Sequence, residues 1–144
     1  MQTNIARLEW SEALKTGVEV IDEQHMILVH TLNEAAERLA HEATAETLGQ
    51  ITQDLLSYAL YHFETEEELM QEYGYRDAEG DGMQRHLDQH RGFSSKVVAI
   101  REGIKSGNLI APQDLIGFLN DWLVQHIQHT DKDLAAFVLA KQSS

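Results

Sequence analysis

The chain has no cysteine, a single proline and few basic residues, and each shortage excludes something. Without cysteine there is no disulfide framework, no thiolate metal site, no iron–sulfur cluster and no cysteine nucleophile. The 11 Lys and Arg stand against 24 Asp and Glu, giving a net charge of −13. Such a chain repels a phosphate backbone, so nucleic acid is not an expected partner. No apolar run approaches the roughly 18 residues of a membrane-spanning helix. Met1 to Trp10 lacks the apolar stretch of a secretory signal. A cytoplasmic protein without a membrane span is therefore expected. What is present is a 144-residue chain with 42% hydrophobic residues, enough for one well-formed core, and eight histidines.

The scarcity of proline reads as mostly helical, and the apolar periodicity agrees. After an arm over about 1–17, Ile21, Leu28, Leu32, Ala35 and Leu39 recur at the spacing of a buried helical stripe. His25 fills the stripe position between Ile21 and Leu28. Thr44 is placed to cap a second helix, whose face carries Leu48, Ile51, Leu55, Tyr58, His62, Glu66 and Leu69. Glycines and aspartates over Tyr73 to Gly82 form a loop. A third stripe runs through His86, His90, Phe93, Val97, Ile100 and Ile104, and Ser106-Gly107-Asn108 breaks it. Pro112 suits the first turn of a fourth helix that continues through Leu115, Leu119, Trp122, His126 and Phe137 to near Ala140. These spacings predict an all-α fold: an up-down-up-down antiparallel four-helix bundle over about 18–140, behind its N-terminal arm, in a single domain spanning 1–144.

His25, His62, His86, His90 and His126 all fall on core-facing positions, at least one per helix. A lone histidine on an apolar face is usually a satisfied core residue. Five converging in one bundle are different, because burying them unpartnered costs about 1–3 kcal/mol each against a total domain stability of roughly 5–15 kcal/mol. A shared metal removes that cost. The pairs His62/Glu66 and His86/His90 are each four residues apart, hence stacked on one helix face and able to chelate. Imidazole plus carboxylate suits iron, zinc, copper or nickel. His41 reads as solvated surface, His30 as a flank residue, and His129 lies one turn from His126. The acidic runs Glu66-Glu67-Glu68 and Asp77 to Asp81 read as solvated faces and loop, with Glu66 alone sharing the stripe with His62.

Asp22-Glu23-Gln24-His25, His62-Phe63 followed by Glu66-Glu67, Leu69-Met70, Gly74-Tyr75, His86-x3-His90 and Trp122-Leu123-x2-His126-Ile127-x3-Asp131 together resemble the hemerythrins, closest to the bacterial type. Trp10 and Gly17-Val18 look like that family's arm, and Arg76 departs from the proline that many bacterial members carry after Gly-Tyr. The resemblance implies a non-haem di-iron centre that binds dioxygen reversibly. By it, His86, His90 and His126 would hold one iron and His25 and His62 the other. Glu66 and Asp131 would bridge them, with an oxo or hydroxo group as third bridge. Five imidazoles, two bridging carboxylates and one bridging oxygen leave a single position open around two six-coordinate ions, on the ion with two histidines.

Periodicity does not choose the second carboxylate. Asp131 lies five residues past His126, about 140° further round an ideal helix, whereas Asp133 returns to nearly the same angle one turn beyond. The resemblance implies Asp131. Leu28, Phe63, Trp122 and Leu123 are the expected apolar lining of a dioxygen pocket. Three roles are open: a dioxygen carrier, store or buffer; an oxygen-sensing domain with a signalling partner; and a di-iron oxidase or ferroxidase. The last is disfavoured because such bundle sites use Glu-x-x-His, which is absent here, so no enzymatic activity is expected. The helix exteriors are acidic without a clear apolar seam, so a monomer is expected. An oxygen-accepting enzyme, if there is one, is not identified by these residues.

Overall fold

The computed structural model describes residues 8–75 and 82–143; Arg76 and the Asp77 to Asp81 stretch lie outside them. Three uninterrupted helices, α1 (Glu19–His41), α2 (Ala45–Glu72) and α3 (Gly82–Lys105), follow a short 3-10 turn at Glu12–Leu14. The fourth rod is composite. Its first part, α4 (Pro112–Gln125), runs into a π-helical segment (His126–Asp131) and resumes as α5 (Lys132–Gln142). No strand occurs among the described residues, and none of their helices is long and apolar enough to cross a membrane.

Local chemistry sets the boundaries. Thr44 caps α2, its Oγ1 accepting from the Thr47 amide at 3.1 Å. Gly107 (φ +94°) ends α3 in the left-handed conformation that only glycine adopts without cost, and Pro112 opens α4. Leu8 and the Thr16-Gly17 pair of the arm are fastened to α1. Leu8 exchanges two hydrogen bonds with the Asn33 side chain, and the buried Asp22 carboxylate accepts from the Thr16 amide, the Thr16 hydroxyl and the Gly17 amide.

Side-chain pairings give the helix directions. His90 meets Glu67 while Arg101 meets Gln53, so α2 and α3 run antiparallel. Gln24 meets His62 and Thr65 at one end of α1 while Ala35 lies near Leu55 at the other. Phe93 packs on Trp122 and His86 approaches Asp131, which orients the fourth rod against α3. The expected stripes are largely the buried ones, with Tyr58, Leu69, Ile100, Trp122 and Phe137 half-buried at their edges. The exteriors are not uniformly polar: Met26 and Ile27 on α1 and Leu60 and Tyr61 on α2 are exposed.

Apolar packing falls into two clusters. The larger contains Leu28, Leu32, Leu55, Phe93, Leu119 and Ile127. The smaller contains Val18, Ile21, Met70, Met83, Leu134 and Val138. The residues between them along the helices are the histidines and two carboxylates, so a polar layer is sealed at both ends by hydrocarbon.

Candidate metal centre

Seven side chains converge in this layer: His25 from α1, His62 and Glu66 from α2, His86 and His90 from α3, and His126 and Asp131 from the π segment. All are buried, Glu66 and Asp131 completely. Their ligand atoms form two overlapping groups, each with its atoms within 4.8 Å of one another: Glu66, His86, His90, His126 and Asp131 in one, and His25, His62, Glu66 and Asp131 in the other. The two carboxylates belong to both.

The π segment explains how Asp131 enters. Its i→i+5 hydrogen-bond pattern widens the turn, so the fifth residue after His126 returns over His126 instead of swinging away. Asp131 Oδ1 lies 2.9 Å from His126 Nε2 and 3.1 Å from His86 Nε2, whereas Oδ2 lies 2.7 Å from His25 Nε2. Each oxygen thus faces a different histidine set. Asp133 is exposed. Glu66 Oε1 sits 3.2 Å from both His62 Nε2 and His90 Nε2, again touching both sets.

These short contacts are not directed as hydrogen bonds. The Nε2 atoms of His25, His62 and His86, both Glu66 oxygens and both Asp131 oxygens have no hydrogen-bond partner among the described residues. Buried atoms of this kind are normally satisfied. A set of nitrogen and oxygen donors aimed into a common space fits a metal with harder ligand preferences, and no sulfur is present to favour a soft one.

A second layer of side chains orients the rings. His62 Nδ1 donates to Gln24 Oε1 at 2.6 Å, and the same amide's Nε2 donates to Thr65. His126 Nδ1 donates to Gln89 Oε1 at 2.7 Å, which also accepts from the Thr130 hydroxyl. His90 Nδ1 donates to Glu67 Oε2 at 3.0 Å. With a proton held on Nδ1, the Nε2 atom of each ring is turned toward the centre, where a bound metal would take the place of any Nε2 proton.

The electrostatics are those of compressed, mutually compensating charges. Burial opposes charge on His62, but Glu66 and Asp131 beside it outweigh burial and push the imidazole up to about 9. His126 is likewise raised to about 9, against burial, by Asp131 and Glu66. Burial and the neighbouring Glu66 would raise the Asp131 carboxyl, yet His126 and His25 hold it far below the usual carboxylate range. Glu66 is held well below that range by His62, His126 and His86, again against burial.

The remaining histidines stand outside. His30 is exposed and pairs with Glu34 at 3.0 Å, and His41 and His129 are exposed. Leu28, Phe63, Trp122 and Leu123 line one apolar cavity of about 20 Å³ together with Leu32, Leu55, Ala59, Phe93 and Leu119. That volume exceeds the roughly 10–15 Å³ that one water molecule needs. Phe63 stacks on His90 and Trp122 on His126, so the cavity wall touches the histidine layer directly. Leu32, Leu55 and Leu119 were not expected as lining; each lies two turns from a centre histidine on its own helix, a spacing that could have identified them. Gln24, Gln89 and Glu67 were missed because a polar residue beside a ligand reads as solvent-facing.

The sequence profile described as Hemerythrin HHE cation binding domain matches residues 16–138. A bacteriohemerythrin of Pseudomonas paraeruginosa is 33% identical over 130 residues, covering 88% of this chain and 78% of that protein. A myohemerythrin of Theromyzon tessulatum is 28% identical over 123 residues, covering 85% of this chain and 87% of that protein. The crystal structure of a wild-type hemerythrin superposes with a TM-score of 0.81 at 27% identity, covering 92% of this chain and 98% of the other.

Proposed function

The chain belongs to the hemerythrin family, and from that premise we propose that it binds dioxygen reversibly at a pair of iron ions. His86, His90 and His126 would hold one ion and His25 and His62 the other, with Glu66 and Asp131 shared between them. The observation that carries this reading is the division of the Asp131 carboxylate, whose Oδ1 faces His86 and His126 while Oδ2 faces His25. A residue serving one ion has no reason to present its two oxygens to separate histidine sets. The iron pair, when bound, supplies the electrons that make dioxygen uptake reversible.

The protein's own side chains do the rest. Gln24, Gln89 and Glu67 hold three imidazoles in the tautomer that presents Nε2 inward. The hydrocarbon clusters at both ends of the layer keep bulk water from the centre. The cavity beside Phe63 and Trp122 offers an apolar diatomic molecule a place that a polar competitor gains little by entering. Exclusion of water and protons protects the reduced state, which is what a carrier, store or buffer requires, and no side chain of the centre is set out to act on an organic substrate.

Iron analysis is the direct test of the ligand assignment. Two irons per chain are expected in protein loaded under iron-replete conditions. His25→Ala and His62→Ala are expected to lose one of them preferentially, because each removes half the histidines of its set. A single iron in the unaltered protein, or equal loss of both from every histidine variant, contradicts the assignment.

A further inference from the structure

We propose that Glu67 is a positioning residue for the centre, orienting His90 through its Nδ1 and biasing the ion held by His86, His90 and His126 toward its oxidised state. The inference rests on the iron reading above and deepens it.

The three Nδ1 partners differ in kind. Gln24 and Gln89 are neutral amides, whereas Glu67 is a carboxylate. The Nδ1 atoms of His25 and His86 have no partner among the described residues. Among the described residues a single anionic contact therefore reaches the histidine Nδ1 atoms from outside the layer, and it falls on the three-histidine side. An anion accepting from Nδ1–H draws the proton toward itself and leaves the ring a stronger donor at Nε2, where His90 faces Glu66 at 3.2 Å. A stronger donor favours the more highly charged ion.

The surroundings allow Glu67 this part. Its side chain is 39% exposed, so its charge is not buried, while the His90 ring it touches is almost wholly enclosed. Phe63 lies parallel to that ring at 3.9 Å and fixes its plane, so that Glu67 sets only its rotation. Glu67 and His90 open on a groove between α2 and α3 that is also lined by Leu60, Glu64, Leu87 and Arg91. Glu64 shares the groove, and its carboxylate makes none of the ring contacts described here, which makes it the natural control.

The experiment compares iron-loaded E67Q, E67A and E64Q with the unaltered protein by spectroelectrochemistry and by Co(II) titration of the metal-free forms. E67Q keeps an acceptor for Nδ1 but loses the charge. It is expected to hold its metal and to shift the oxidation equilibrium about tenfold toward ferrous iron, about 59 mV for a one-electron couple. E67A also loses the acceptor and is expected to bind Co(II) roughly 10- to 100-fold more weakly at one site. E64Q is expected to change neither. Equal potentials in E67Q and the unaltered protein, or equal shifts in E67Q and E64Q, overturn the proposal and leave the iron reading standing. An unaltered chain that takes up no iron overturns both.

Discussion

The Asp131 carboxylate returns to within 2.9 Å of His126 Nε2 although five residues separate them. In an ideal α-helix the two would point about 140° apart; the π segment between them closes that angle. Asp131→Ala is therefore expected to reduce iron binding on both sides of the centre, since its two oxygens serve both histidine sets. Asp133→Ala, at an exposed position, should leave iron content unchanged and move stability by no more than about 0.5 kcal/mol. Metal analysis and thermal melts of the two variants check this, and the reverse pattern would mean that the helix is α-helical through this segment in solution.

The shifts at the centre dictate how the metal-free protein responds to pH. His62 and His126 are raised to about 9, so their stabilising contribution is complete below their ordinary value near 6.5 and fades as pH rises through about 9. Glu66 and Asp131 are depressed, so theirs is present above the ordinary carboxylate range and is lost only in strong acid. Metal-free protein should therefore melt at a lower temperature at pH 10 than at pH 6. Iron-loaded protein should lose this alkaline decline, because bound metal has already displaced those protons and stabilises the fold by mass action. Melting curves across pH, with and without iron, measure both effects; parallel curves would count against coupling between the centre and the fold.

Ala59 is a buried wall of the apolar cavity. Ala59→Val places two methyl groups where the space is only about 20 Å³. Dioxygen association is expected to slow about tenfold, equivalent to about 1.4 kcal/mol at the barrier, with an overpacking cost of about 1–3 kcal/mol in stability. Ala36→Val adds the same bulk within the same apolar cluster but away from the cavity, and should affect stability without slowing association. Stopped-flow mixing with dioxygen distinguishes the two; equal rates would show that the cavity is not on the entry route.

The helices were legible in the sequence because apolar burial imposes a period that survives in one chain. His25 in the stripe gap of α1, Thr44 at the start of α2 and Pro112 at the start of α4 all stand where pattern and capping chemistry place them. The π segment was not legible, because nothing in His126 to Asp131 departs from helix-forming composition and the extra residue in the turn is visible only as a conflict between Asp131 and Asp133. The ring-orienting layer was hidden for another reason. Gln24, Gln89 and Glu67 lie beside ligands in sequence but act on histidines of other helices, so their role depends on packing that periodicity does not encode. Gln24 also joins α1 to α2 beside the centre, through both His62 and Thr65.

Reversible dioxygen uptake by the proposed iron pair is read from an absorption spectrum of the reduced, iron-loaded protein. A visible band is expected to appear on admitting air, disappear on removing oxygen and return over repeated cycles, with one dioxygen taken up for each pair of irons. Permanent conversion to a ferric spectrum on first exposure, or uptake unrelated to iron content, would contradict it.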